Sequence, residues 1–373
     1  MLPLAACPGA PAIVTAILST YEALLEEGFR VLGVIFFLLY LRSLPSGKSF
    51  PPLLCKHHFL IPVNISTKIA LNVAVAGATG DLGLPIIKVL LAAGFSVTAL
   101  TRQDSSNASK LPKHPRLVVA EVDYTSVLSL TKALKDHTIV VSALTSTSAN
   151  DQTPLIDAAV AVGVTRFIPS EFGSDVLNPK RNSLPVFEGK VRIHEYLKAV
   201  VAKSPGFSYT IVCNGAFLDW GLHGFLVNIA KHTAILYNGG DVSFSATNHE
   251  TVGKAVVGVI RNLAETANRP IYVHDTVVTQ NLLIRYAKEK DGLEWDITHK
   301  STAKMYDNSL LKVARGTTDW PTMQAFVFSS VFGEGYGAKS SDHLDNELLG
   351  LRCITDAEVR ALVEVSLELS ASP

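Results

Sequence analysis

Three observations predict an α/β protein built on a doubly wound parallel sheet, with a smaller α/β lobe beside it. From Lys68 onward, strand-like apolar runs alternate with segments of helical period. The runs are apolar throughout rather than at every second position, as expected of strands covered on both faces. The first run leads straight into "VAVAGATGDLG", Val73 to Gly83, which carries glycines at positions 77, 80 and 83.

The elements follow in order. "IALNVAVAG" is the first strand, Leu84 to Ala93 a helix and "FSVTAL" the second strand. "RLVVAEV" is the third strand, Ser126 to Lys135 a helix and "TIVVSAL" the fourth strand. Asn150 or Asp151 caps a helix running to about Val162, and "VTRFIP" is the fifth strand. Right-handed crossovers between such strands wind the sheet on both sides. Leu184 to Ala202 reads as a long helix, "FSYTIVC" as a strand, and Thr251 to Leu263 as a helix entering the strand "PIYVH". The remainder, including "FGEGYG" and Thr355 to Leu369, reads mostly as helix and loop of the smaller lobe.

The 373 residues allow one large domain or two ordinary ones. Lysine plus arginine equals aspartate plus glutamate at 33 each, so charge announces neither nucleic acid nor a membrane surface as partner. No basic stripe or aromatic–basic module suggests nucleic-acid binding. Cys7, Cys55, Cys213 and Cys353 are far apart and lack ligand spacing, which fits unpaired thiols in a cytoplasmic setting. The sequons at Asn64 and Asn107 matter only in a secreted chain.

Residues 1–67 read differently, as an N-terminal extension that is poorly ordered or not native. Its apolar stretches, Ala12 to Leu18 and Val31 to Leu41, suit neither a signal peptide nor a membrane span. The first positive charge, Arg30, follows the first stretch instead of preceding it. The second stretch would reach about 16 Å as a helix against about 30 Å of hydrocarbon.

The glycine turn is where chemistry enters. Between a first strand and a first helix, such glycines allow a tight turn, close approach of backbone to a pyrophosphate, and close helix–strand packing. Gly77, Gly80 and Gly83 fit those tasks, with Thr79, Asp81 and Leu82 presenting the intervening amides at the helix start. At the tip of the second strand, where an acidic residue would bind a ribose hydroxyl, the chain has Arg102. A guanidinium there grips a 2′-phosphate, so NADPH is expected, with Lys110 as a second contact; nearby Asp104 is the feature that keeps NAD open. The glycines at 333, 335 and 337 follow no strand and read as loop.

"VAVAGATGDLGLPIIKVLLAAG", the "LTR" after it, "VTRFIPSEFGSD" and "SATNHETVGKAV" together resemble the isoflavone reductase-like group of the NmrA-like family, atypical short-chain dehydrogenases. The likeness runs from about Lys68 to Asp275 and fades beyond Thr276. It implies an NmrA-like domain over 68–373. A Rossmann lobe would span about 68–213 and 242–275, and a substrate lobe about 214–241 and 276–373. It also implies NADPH in the cleft and a catalytic lysine on the helix after the fifth strand, which is Lys190 in "PVFEGKVRIHEYL". Thr145 and Ser146 would lie along the ribose, Gln152 and Phe172 against the cofactor, and Asn214, Phe217 and Trp220 along the substrate. Such a unit would be a monomer or homodimer acting on a small molecule, with no membrane partner.

Hydride delivery to an enone, quinone methide or carbonyl puts negative charge on oxygen, which an ammonium such as that of Lys190 can stabilise or protonate. His194, four residues on, shares that helical face and either orients substrate or packs. Tyr286 and Lys290 have Tyr-x-x-x-Lys spacing but sit far downstream and read as ordinary helix surface. No metal site or nucleophilic hydrolase is expected: His194-Glu195 and His249-Glu250 lack a second histidine at zinc spacing, and no GxSxG occurs. The competing reading is a non-catalytic NAD(P)-sensing regulator, which has no need of Lys190. A sugar-nucleotide epimerase would want the Tyr-x-x-x-Lys pair at its usual place.

Overall fold

Continuous apolar runs pair into a seven-stranded sheet because both of their faces are covered. A computed structural model describes residues 71–145, 152–340 and 342–371. The expectations for residues 1–67, for Ser146 and for a cap at Asn150 or Asp151 lie outside those residues. Strands β1 (Asn72–Ala76), β2 (Ser96–Arg102), β3 (Leu117–Val122), β4 (Ile139–Ser142), β5 (Arg166–Ile168), β6 (Ser208–Cys213) and β10 (Arg269–Tyr272) are all parallel. Their order is β10-β6-β5-β4-β1-β2-β3, so the chain reverses its direction of travel between β1 and β4. Ligands of open α/β sheets bind at that reversal, outside the strands' carboxyl ends.

Alternation along β1 sends Val73 and Val75 to one face and Ala74 and Ala76 to the other. The first face is covered by helices α1 (Gly83–Ala92) and α5 (His249–Arg261), through Ile86, Ile87 and Leu90 and through Val252, Val256 and Val259. The second is covered by α2 (Val127–Leu134), α3 (Thr153–Ala161) and α4 (Glu188–Val201), with Leu130, Leu155 and Leu197 buried there. α3 starts at Thr153 with Gln152 as its cap residue and a proline in the first turn. Pro185–Phe187 forms a 3-10 turn, so the helix anticipated from Leu184 begins properly at Glu188.

A second core gathers the residues beyond β6. Strands β7 (Ala216–Phe217), β9 (Phe244–Thr247) and β11 (Thr276–Val278) form one small sheet, and β8 (Thr233–Tyr237) pairs with β12 (Asp296–Lys300). Helices α6 (Gln280–Asp291), α7 (Thr302–Ala314), α8 (Trp320–Phe332) and α9 (Asp356–Ala371) complete this part. Its centre is aromatic, with Tyr237 stacked on Phe328 and Phe332 at centroid distances of 4.6 and 4.9 Å.

Two readings need correction here. The region expected to be mostly helix and loop contains β7, β8, β9, β11 and β12. β12 is missed because four of its five residues are exposed, leaving no apolar period. Tyr286 is not helix surface: it is 1% exposed, bonded through its hydroxyl to Asp356 and covered by the Arg360 guanidinium 4.5 Å from the ring centre. α9 lies over that side of α6, which the sequence of α6 alone does not announce. Lys290 pairs in the open with Glu364 and Glu368. Among the described residues no helix is long and apolar enough to cross a membrane.

Candidate functional site

The turn leaving β1 is shaped by what it lacks. Gly77 has φ +72°, and a Cβ on it would stand 2.2 Å from the Ala143 carbonyl oxygen, because β1 and β4 end side by side. A Cβ on Gly83 would stand 2.1 Å from the Gly77 oxygen, so α1 can begin only where a glycine sits. Gly80 is less constrained, at 3.3 Å from the same oxygen, and its N–H donates to that oxygen at 3.1 Å. Leu82, the cap residue of α1, offers no side-chain acceptor, and no acidic residue enters the first turn. Thr79 and Leu82 are half-buried and Asp81 is exposed. The result is a concave strip of backbone at a helix start, suited to a phosphate.

Arg102 ends β2, exposed, in register with Val122 of β3. Lys110 is exposed on the 3-10 turn Ser106–Lys110. Asp104 adopts φ +54°, so the chain turns sharply just after Arg102. Tyr124, which the sequence reading does not single out, fastens this corner. Its hydroxyl donates to the Leu100 carbonyl at 3.0 Å and meets the Gly77 N–H at 3.4 Å. Burial pushes its pKa up to about 12, so it remains a neutral donor. The signal available was an aromatic ring placed just past the third strand.

The exits of β4 and β5 are tied together. The Ser170 hydroxyl donates to the Leu144 carbonyl at 2.7 Å, and the Ser170 N–H to Gln152 Oε1 at 2.9 Å. Gln152 is fully buried in that tie, while Thr145 is exposed beside it. Phe172 is buried, and the Gly215 N–H donates to the Gly173 carbonyl at 3.0 Å, bringing the end of β6 against the end of β5.

Lys190, in the first turn of α4, reaches this edge. Its Nζ donates to the Glu171 carbonyl at 2.5 Å and lies 3.8 Å from Glu171 Oε2, with the lysine side chain 17% exposed. Glu171 itself is buried, and neither carboxyl oxygen has a hydrogen-bond partner. Burial raises its pKa to about 7, against the pull of the Lys190 ammonium. Sequence reasoning quotes this residue only inside "PSEFG"; the signal was a charged residue directly after an apolar strand.

Asn214 is fully buried. Its carbonyl accepts from the Thr247 hydroxyl at 2.5 Å, its Nδ2 donates to Gly215, and its Oδ1 is an orphan. Phe217 stacks on His249, and Trp220 is 45% exposed. His194 stands apart: its Nε2 meets the Tyr209 hydroxyl at 3.2 Å in a groove with Val176, Leu177 and Asn268. Burial lowers its pKa, so it stays neutral and packs. The sheet's carboxyl edge thus carries a bare-backbone cradle, Phe172 and a part-buried ammonium together with buried orphaned oxygens, which in native proteins mark places where a ligand or water completes the bonding.

The chain matches the NmrA-like family over residues 70–308. It is 30% identical over 305 residues to the oxidoreductase poxI of Penicillium oxalicum, covering 79% of this chain and 94% of that protein. To the isoflavone reductase of Medicago sativa it is 27% identical over 267 residues, covering 62% and 79%. Among solved structures it is similar to leucoanthocyanidin reductase of Vitis vinifera in complex with NADPH. There the TM-score is 0.61 at 21% identity, covering 79% of this chain and 99% of that one, a likeness of fold.

Proposed function

Because the chain belongs to the NmrA-like family, we propose that it is an NADPH-dependent oxidoreductase that transfers hydride to a small aromatic, enone or carbonyl metabolite, with Lys190 as general acid. The observation that carries this reading is a backbone cradle at Gly77–Gly83 and a part-buried ammonium, Lys190, on the same edge of one parallel sheet. The cradle fits a dinucleotide, since a Cβ at Gly77 would strike the Ala143 carbonyl and one at Gly83 the Gly77 carbonyl, so the tight turn and the close packing of α1 on β1 that such a site needs both require glycine. Gly77 to Gly83 would hold the pyrophosphate, Arg102 and Lys110 the 2′-phosphate, Thr145 and Ser146 the ribose, and Phe172 the nicotinamide. The nicotinamide supplies hydride when bound.

The protein's own part is positional and electrostatic. The Glu171 carbonyl anchors Nζ at 2.5 Å and leaves the ammonium's other hydrogens for a substrate oxygen. As hydride arrives at carbon, that oxygen gains charge, and Lys190 donates first a hydrogen bond and then a proton. The names of the relatives, a reductase of an isoflavone among them, support an aromatic metabolite.

The test is NADPH oxidation across a panel of enones, aryl ketones and phenolic ethers. Lys190→Ala is expected to lower turnover by about 100-fold or more while leaving NADPH affinity unchanged. Turnover that survives the substitution removes Lys190 from the chemistry. Failure to bind either nicotinamide coenzyme removes the oxidoreductase.

A further inference from the structure

Next to the end of β6 stands a second polar pair that the reaction above does not use. Asp219, on the short helix Leu218–Gly221, has its Oδ1 2.8 Å from His249 Nδ1, while its Oδ2 accepts the His249 backbone N–H at 3.0 Å. One carboxylate therefore closes the start of α5 and fixes the imidazole. Burial works to raise the Asp219 carboxyl, but the bonds from His249 and Trp220 outweigh it and hold it below the usual range. In the neutral ring a proton on Nδ1, facing Asp219, leaves Nε2 as an acceptor. The ring is also stacked on Phe217, with centroids 4.6 Å apart and planes 10° from parallel, so its direction is set twice.

Topology puts this pair at the carboxyl edge of the sheet. α1 and α5 each carry the chain from the carboxyl edge of the sheet back to the start of a parallel strand, so they run side by side in the same sense. Gly253 is pressed on α1, where a Cβ would lie 3.4 Å from Ile86 Cα. Four residues back from Ile86 and from Gly253 lie Leu82, the cap residue of α1, and His249, the first residue of α5. The Gly215–Gly173 bond joins the Phe217 loop to the segment that anchors Lys190.

We propose that His249, held by Asp219, is a specificity-determining residue: its Nε2 accepts a hydrogen bond from a hydroxyl on the substrate and so selects a hydroxylated carbonyl compound over its methyl ether. This rests on the reductase reading and adds a second point of recognition to it. A site whose polar group must be paired rejects the analogue lacking the donor far more strongly than an apolar pocket separates two sizes. Trp220, exposed on the same short helix as Asp219, provides a flat wall for the carbon frame.

The experiment uses the full chain, labelled with nitrogen-15 in histidine, saturated with NADP+ and titrated with 4-hydroxyacetophenone or 4-methoxyacetophenone. The His249 signal is identified by its loss in His249→Gln. The expected result is a shift at Nε2 with the hydroxy ketone alone. His249→Gln should weaken binding of that ketone about 10- to 100-fold, with NADP+ and methoxy-ketone affinities unchanged. Asp219→Asn keeps an oxygen for the start of α5 and should bring the two ketones to similar affinity. Equal affinities in the wild type, no binding of either ketone, or a signal that moves with NADP+ alone would each overturn the role of His249. Absence of NADP+ binding would instead remove the reductase reading beneath it.

Discussion

Glu171 is the residue at which the site's electrostatics can be read most directly. Its carboxyl is buried without a hydrogen bond, and the one opposite charge at hand is the Lys190 ammonium at 3.8 Å. Its pKa rises from the ordinary 4.5 to about 7 on folding. Below the lower value both folded and unfolded chains carry the proton, and the contribution to stability is complete. As pH climbs from there to about 7, the unfolded chain releases a proton that the folded chain retains, so stability falls. Glu171→Gln should flatten that fall, which denaturant titrations at about pH 5 and about pH 8 would record; an unchanged slope would mean the carboxyl is not titrating in this window. Arg102 offers a second check on the same scale. Arg102→Glu should weaken NADPH by about 1.5–3 kcal/mol, roughly 10- to 150-fold, and leave NADH unchanged or improved in a direct binding comparison.

Among the elements, the β1–α1 turn depends most on particular residues. Gly83→Ala places a methyl 2.1 Å from a backbone oxygen that has no room to retreat, since Gly77 is itself held against Ala143. A loss of about 2–4 kcal/mol is expected, with coenzyme binding abolished before folding is, measurable by calorimetry on the folded fraction. Gly80→Ala, at 3.3 Å, should be milder. This turn and the parallel sheet are legible in the sequence because burial on both faces writes each strand as an unbroken apolar run. The small sheets are not: β7 has two residues, and β12 faces water along most of its length. The site divides in the same way. Glycines and Arg102 announce themselves by their place along one βαβ unit. By contrast, the Asp219–His249 pair joins residues 30 apart in sequence, and only the tertiary fold brings them together.

At the scale of the molecule, two large cores hold most of the buried apolar side chains among the described residues. One is the sheet with its covering helices; the other runs from Ala216 to Leu367 and includes α9. Val359, Val363 and Leu367 of α9 are buried in it, each contributing about 1.5–3 kcal/mol. Their sum approaches the whole stability of an ordinary domain, about 5–15 kcal/mol. A chain ending at Thr355 should therefore lose its cooperative thermal transition, and a shortened chain with an unaltered midpoint would show that α9 is dispensable. The second core also has a bearing on biosynthesis. The first five sheet strands are complete once Ile168 has emerged from the ribosome, whereas the aromatic stack of Tyr237, Phe328 and Phe332 waits for Leu367. Late in translation, between Phe332 and Leu367, the nascent polypeptide carries an unclosed aromatic surface, the kind that chaperones recognise and that self-associates when they are scarce.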